Sequence, residues 1–127
     1  MGRTPLLVAA LMGFLAVGCG AFGAHGLESS LEGDPEAAGK LEWWRTAAHY
    51  HLVHAAVLAA MGLSGRGGAA ALWSFVLGIA VFSGTLYAMA LGAPTKLGMV
   101  TPIGGLALMV GWGLLALDAL RAGPVED

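Results

Sequence analysis

This sequence has few charged residues. Only 11% of its 127 residues are Asp, Glu, Lys or Arg, whereas 57% are hydrophobic, and an ordinary soluble domain is far less apolar. The net charge is -2 and the sequence has no cluster of Lys and Arg, so it offers no nucleic-acid-binding surface. Cys19 is the only cysteine, which excludes an internal disulfide bond.

The scarce charges leave four long segments without Asp, Glu, Lys or Arg, each at least 20 residues long. A helix needs about 20 apolar residues to cross the hydrocarbon core of a bilayer. The sequence therefore predicts an all-α, polytopic membrane protein whose residues 1–127 form a single integral membrane domain. We expect the lipid bilayer to surround it. The predicted fold is a four-transmembrane-helix bundle with spans at about 5–24, 44–63, 70–91 and 99–120.

The connections between these spans are short, except for the first. Residues 25–42 contain most of the acidic side chains of the chain, with Lys40 as the only base. We expect a longer, solvated acidic loop here, with Asp34 as the N-cap of the second helix. Trp43 and Trp44 follow, and because tryptophan collects at the headgroup level, these two residues are predicted to be interfacial anchors.

Four spans place both termini on the same side of the membrane. The positive-inside rule does not decide which side, because three Lys or Arg residues fall on each side. The acidic first loop slightly favours an external position for that loop. We therefore predict a multi-pass protein of the plasma (inner) membrane with cytoplasmic termini.

The polar side chains inside the predicted spans gather near one face of the membrane. Three of the four histidines lie on the second span, and two polar residues of the third span, Ser83 and Tyr87, are one helical turn apart. These positions predict a compact polar cluster among the first three spans. Its candidate members are His25, Tyr50, His54, Ser83 and Tyr87, with His49 and His51 as further candidates.

Polar side chains inside a bilayer are costly and often functional, but a neutral histidine can simply hydrogen-bond a neighbouring helix. Interhelical hydrogen bonding, in a structural or accessory membrane component, is therefore the leading interpretation. Haem or metal ligation in a redox complex is an alternative that would need imidazoles from two helices, such as His25 and His49. His51 and His54 could share a metal, but no carboxylate or thiolate is available as a third ligand.

A small oligomeric transporter is the other alternative. Small residues recur at every fourth position of the first and third spans, a spacing that lets helices approach closely, within one chain or between this chain and another membrane protein. No Asp or Glu lies within a span to couple protons. No arrangement of nucleophile, base and acid is visible, so we expect no enzymatic activity and assign no catalytic, metal-binding or cofactor-binding residue. The small-residue faces are Ala16, Gly20 and Ala24, and Ala80, Gly84, Ala88 and Gly92.

Four blocks of the sequence resemble one family. They are GAFGAHGL from Gly20, W-x-T-A-x-x-Y-x-x-x-H from Trp44, FSGTLYAMAL from Phe82 and TPIGG…GW from Thr101. In this order and spacing they resemble the DUF423 family, also called UPF0382. The resemblance implies a small multi-pass membrane protein with no established biochemical function, and it supplies no catalytic residue. The residues that match family motif positions are Gly23, His25, Trp44, Tyr50, His54, Ser83, Tyr87, Pro102 and Gly105.

Overall fold

The computed structural model describes residues 3–123, and this part of the chain is helical, with no β-strand. The predicted all-α class is therefore confirmed. The first helix continues without a break from α1 through a π-helical segment into the short α2. The elements are α1 (Arg3–Phe22), the π-helical segment (Gly23–Leu27), α2 (Glu28–Ser30), α3 (Ala37–Ser64), α4 (Gly68–Ala90), a 3₁₀ turn (Thr95–Met99) and α5 (Thr101–Arg121).

Three helical segments of the described chain are long and apolar enough to cross a membrane: Arg3–Ser30, Gly68–Ala90 and Thr95–Arg121. The sequence predicted a fourth at 44–63. Helix α3 covers those residues, but His49, His51 and His54 lower its hydropathy. By length and composition, three of the four predicted spans are therefore supported.

The acidic connection between the first two long helices is shorter than predicted. Only residues 31–36 lie outside the helices, because Leu27 is 2% exposed and packs against Trp44 and Ala90, which holds the end of the first helix to the bundle. The Lys40 ammonium and the Glu36 amide both donate to the Asp34 carboxylate, at 2.7 and 2.8 Å. These hydrogen bonds, led by that from Lys40, lower the pKa of Asp34 below its ordinary value.

The long helices pack as consecutive neighbours along the chain. Helix α1 lies against α3, α3 against α4, and α4 against α5. The largest core cluster joins all four helices around Phe75 and Leu58, which are fully buried. Helices α1 and α5 keep broad apolar faces exposed, with Phe14 at 78% and Met109 at 69%. Exposed apolar surface of this extent suits helices that face lipid.

Helices α4 and α5 interlock through glycines and aromatic rings in an antiparallel register. Gly104 lies against the backbone of Phe82, and a Cβ atom there would be 2.8 Å from the Phe82 Cα. About one helical turn further along α5, Leu108 lies against Gly78 of α4. In the following turn, Gly111 lies against the ring of Phe75. Small residues thus bring two helices close together at this interface.

The two predicted small-residue faces are not where the helices approach most closely. Of their members, Ala16 is buried, but Gly20, Ala24, Ala80 and Gly92 are exposed. A Cβ atom at Gly20 or Gly84 would meet no other atom within 4 Å. Within this chain, these faces are largely left open.

Candidate functional site

The structure divides the four histidines into two pairs. His51 and His54 are each 5% exposed and point into the bundle from α3. His25, in the π-helical segment, and His49, on the opposite face of α3, are exposed. The candidate site therefore consists of the contacts that His51 and His54 make with neighbouring helices.

His54 uses both ring nitrogens. Its Nδ1 lies 2.7 Å from the backbone carbonyl oxygen of Tyr50, to which it must donate. Its Nε2 therefore carries no proton and accepts a hydrogen bond from the indole Nε1–H of Trp112 on α5, at 3.1 Å. The ring of Phe75 on α4 packs beside both, 5.7 Å from the His54 ring centroid and 5.6 Å from that of Trp112. This neutral histidine therefore links α3 to α5 across α4.

His51 uses only one ring nitrogen. Its Nδ1 lies 3.0 Å from the hydroxyl oxygen of Tyr87 on α4. Its Nε2 is buried and has no hydrogen-bond partner, the only such side-chain nitrogen or oxygen among residues 3–123. His51 and His54 are three residues apart, but they contact different helices and have different hydrogen-bonding states.

The hydroxyl side chains of α4 form hydrogen bonds with both neighbouring helices, α3 and α5. Ser83 is 1% exposed, and its Oγ donates to the backbone carbonyl of Ala47 on α3 at 2.8 Å. Thr85 and Thr101 share a hydrogen bond of 2.7 Å between α4 and α5. Towards the other end of the same interface, Ser74 donates to the carbonyl of Ala107 at 2.7 Å. Ser74 and Ser83 thus each donate to a neighbouring helix, and one of the two threonines donates to the other.

The structure brings together only part of the predicted polar cluster. His51 contacts Tyr87 and His54 contacts Tyr50, whereas Ser83 bonds only the Ala47 carbonyl. Tyr50 is 41% exposed and packs its ring on Phe82, 4.5 Å between centroids. His25 lies apart from these residues, in a shallow cleft with Glu28 and Glu32.

Trp44 is buried within the helix bundle. It is 6% exposed, and its indole Nε1–H donates to the backbone carbonyl of Cys19 on α1 at 2.7 Å. Its ring contacts Tyr87, with centroids 4.4 Å apart, and lies against Gly23. Trp44 is therefore a core residue joining α1, α3 and α4, and its position at the membrane interface stays a prediction. Trp43 is half-buried at the same end of the bundle.

Sequence reasoning missed Trp112 as the partner of His54. Trp112 is part of the TPIGG…GW block, so the sequence marks it as a family residue, but the sequence does not show which residue it bonds. The contact depends on the register between α3 and α5, two helices that are not consecutive. A polar-tipped ring midway along an apolar helix was the available signal.

The arrangement offers little to a metal ion. Among residues 3–123, no group of three or more His, Cys, Asp and Glu side chains is placed to hold one. Both nitrogens of His54 are already hydrogen-bonded, and His25 and His49, the pair that ligation from two helices would need, are both exposed. The haem or metal alternative therefore gains no support from this geometry.

Comparison with known proteins gives one consistent result. Residues 19–105 match the family model described as a protein of unknown function (DUF423). The chain is 37% identical to the UPF0382 membrane protein YwdK of Bacillus subtilis, over 91% of this chain and 95% of that protein. It is 36% identical to the UPF0382 inner membrane protein YgdD of Escherichia coli K12, over 94% of this chain and 91% of that protein. A UPF0382 membrane protein of Haemophilus influenzae is also 36% identical, over 96% and 98%. No solved structure matches the chain.

Proposed function

Because this chain belongs to the DUF423 (UPF0382) family of membrane proteins, we propose that it is a structural or accessory component of the plasma (inner) membrane, without catalytic activity. The observation that carries this proposal is the use of polar groups within the spans. Five polar side chains form a hydrogen bond to another helix: Trp44, Ser74, Ser83, His54 and Trp112. Polar side chains engaged in this way stabilise helix contacts in lipid and are not available to a substrate.

We further propose that α3 crosses the membrane, which makes the bundle four-spanning. Helix α3 has 28 residues, more than the roughly 20 that a bilayer requires, and it packs between α1 and α4, both apolar enough to span. Two of its three histidines are buried in the bundle, so lipid meets mainly its apolar residues. The termini would then share one side, and we propose the cytoplasm.

Cysteine accessibility tests the path of α3. In a Cys19→Ala background, we expect Glu32→Cys and Arg66→Cys to react with a membrane-impermeant maleimide from opposite sides of oriented vesicles. Both residues are exposed and flank α3. Ala93→Cys, in the connection after α4, serves as a second reference and should react from the same side as Glu32→Cys. Reaction of Glu32→Cys and Arg66→Cys from the same side would show that α3 does not cross.

A double-mutant cycle tests whether the histidine is structural. We expect His54→Leu and Trp112→Phe each to lower the detergent melting temperature. The coupling free energy between the two substitutions should be about 0.6–1.7 kcal/mol, the size found for interhelical hydrogen bonds in membranes. His49→Leu, on the exposed face of the same helix, is the matched control and should change the free energy of unfolding by less than about 0.5 kcal/mol. Additive effects of the two substitutions would remove the evidence for the bond. A variant that melts normally but loses the phenotype of the intact gene would contradict the structural role itself.

A further inference from the structure

The uncharged parts of the first helix and of α3 end beside each other. Residues 4–27 contain no Asp, Glu, Lys or Arg, and Glu28 is the first charge that follows them. The uncharged part of α3 begins directly after Arg45. Trp44 holds these two ends together, because its ring lies against Gly23 of the first helix. Glu28 and Arg45 therefore mark one level of the bundle, where its apolar surface stops.

Glu28 and Arg45 line one cleft of about 240 Å³ between the first helix and α3. Both side chains are exposed, so their charged groups are open to a ligand. The cleft is also lined by small residues, Gly20 and Ala24 on the first helix and Ala48 on α3. A Cβ atom at Gly20 would meet no other atom within 4 Å. The cleft thus joins two opposite charges to an open apolar surface that continues towards the centre of the membrane.

A second cleft continues the first on the other side of Glu28. It measures about 380 Å³ and shares Ala24 and Glu28 with the first cleft. His25 and Glu32 also line it, and both are exposed. Together the two clefts present one positive charge, that of Arg45, followed by two negative charges. This order of charges fits a ligand that carries an anion at one end and a cation at the other.

Within residues 3–123, neither Arg45 nor Glu28 forms an ion pair. The ion pairs of this part of the chain, with nitrogen and oxygen atoms at most 4.0 Å apart, join Lys40 to Asp34 and to Glu36. Lys40 is therefore engaged by the connection that precedes α3, and Arg45 is the base that faces the clefts. Arg45 and Glu28 share a cleft without reaching each other, which leaves room for a group between them.

We propose that these clefts bind the headgroup of a phospholipid with a primary ammonium group, as in phosphatidylethanolamine. The Arg45 guanidinium binds the phosphate, a planar donor set well suited to that anion, and the carboxylates of Glu28 and Glu32 bind the ammonium. One acyl chain lies over Gly20 on the apolar surface below. The charges of this headgroup are complementary to those of the clefts.

The level of the clefts supports a lipid as the occupant. The uncharged residues 4–27 form about 36 Å of helix at 1.5 Å per residue, slightly more than the roughly 30 Å of the hydrocarbon core. If the helix spans the core, Glu28 lies among the lipid headgroups. Arg45 lines the same cleft and lies there too. A phospholipid brings its phosphate and ammonium groups to this level without leaving the bilayer.

Native mass spectrometry of the full chain in detergent micelles tests this proposal. The protein is offered equal amounts of phosphatidylethanolamine, phosphatidylcholine and phosphatidylglycerol with identical acyl chains. Phosphatidylcholine keeps both charges, but its methylated nitrogen has no N–H to donate to a carboxylate, and phosphatidylglycerol lacks the positive charge. We expect the phosphatidylethanolamine adduct to exceed each of the others by about fivefold, the effect of one charged contact near a membrane surface. Equal binding of the three lipids would overturn the proposal.

Two substitutions assign the two ends of the headgroup. Arg45→Gln removes the phosphate contact, so it should weaken binding of all three lipids, that of phosphatidylethanolamine by about fivefold. Glu28→Gln removes an ammonium contact and a charge that repels phosphate, so it should weaken phosphatidylethanolamine binding and strengthen that of phosphatidylglycerol. Unchanged phosphatidylethanolamine binding in Arg45→Gln, or equal loss of all three lipids in Glu28→Gln, would contradict the proposal.

Glu42→Gln is the matched control for both substitutions. Glu42 is exposed and lies one turn before Arg45 on α3, but it lines neither cleft, so its replacement should leave every lipid adduct unchanged. All three substituted side chains are exposed, so the variants should melt like the parent protein. An effect of Glu42→Gln as large as that of Glu28→Gln would show that the lipid responds to net charge and not to the clefts.

A soluble compound distinguishes a bound lipid from a bound headgroup. Glycerophosphoethanolamine carries the same phosphate and ammonium groups but has no acyl chains. An equimolar amount should leave the phosphatidylethanolamine adduct in place, because the compound gains nothing from the apolar surface at Gly20. Displacement of the lipid under these conditions would assign the clefts to a soluble phosphate ester and overturn the lipid as the occupant.

Discussion

Replacing Gly104 with alanine is expected to lower the free energy of unfolding by about 3 kcal/mol, at the upper end of the usual cost of overpacking. The added methyl group would lie within 3 Å of the backbone of Phe82 on α4, including its Cα at 2.8 Å. A backbone cannot rotate away as a flexible side chain can, so the two helices must separate. Titration of purified protein with SDS, followed by circular dichroism, measures the loss.

Two other glycines of α5 provide controls for this prediction. A Cβ atom at Gly105 would lie 3.7 Å from the Phe82 ring, an ordinary contact, and one at Gly113 would meet no other atom within 4 Å. Both alanine variants should therefore be as stable as the parent protein or slightly more stable, because alanine favours the helix over glycine. If all three variants lose stability equally, the loss reflects glycine flexibility and not the contact with Phe82.

A clash with a side chain can be relieved by a second substitution, whereas a clash with the main chain cannot. A Cβ atom at Gly111 would lie 2.8 Å from the Phe75 ring, so Phe75→Leu should partly rescue Gly111→Ala. No truncation of the Phe82 side chain should rescue Gly104→Ala, since the closest atoms there belong to the main chain. Rescue of Gly104→Ala by Phe82→Ala would show that α4 and α5 are packed differently.

The positions of these glycines show what the sequence could predict and what it could not. Four uncharged segments indicated the long helices, because apolar length is a property of each segment alone. The four-residue spacing of Ala80, Gly84 and Ala88 indicated a surface for close packing but not its partner. The structure instead packs Gly78 against Leu108, because Phe75, Gly78 and Phe82 form the face of α4 that meets α5. Which face is used depends on two helices together, and spacing within one helix does not contain that information.

The same reasoning applies to the candidate site. Helical periodicity places His51 and His54 on one face of α3 and His49 on the other, in agreement with their burial. Periodicity could not show that His54 bonds Trp112 while His51 bonds Tyr87 and keeps one nitrogen unpartnered. Family motif positions include His25, which is exposed, but not His51, which is buried. Matching a motif identifies a residue as typical of the family but does not locate it in the bundle.

Replacing Trp44 with alanine is expected to have the largest effect, about 3–5 kcal/mol, the usual cost of truncating a buried aromatic residue. The indole ring fills the space between α1, α3 and α4, and its Nε1–H bonds the Cys19 carbonyl at 2.7 Å. Trp44→Phe keeps most of the ring but loses this hydrogen bond, so it should cost about 1 kcal/mol. Trp73→Ala is the control, because Trp73 is 55% exposed on the outer face of α4. The same SDS titration ranks the three variants.

Gly23 provides an independent test of the same contact from the opposite helix. A Cβ atom there would lie 2.5 Å from the Trp44 Nε1 and still closer to Cδ1, and the indole cannot retreat because Phe22 and Tyr87 pack around it. Gly23→Ala should therefore destabilise the parent protein but cost little in a Trp44→Leu background. Such non-additivity is typical of residues in contact. Equal costs of Gly23→Ala in both backgrounds would mean that Trp44 does not pack against Gly23.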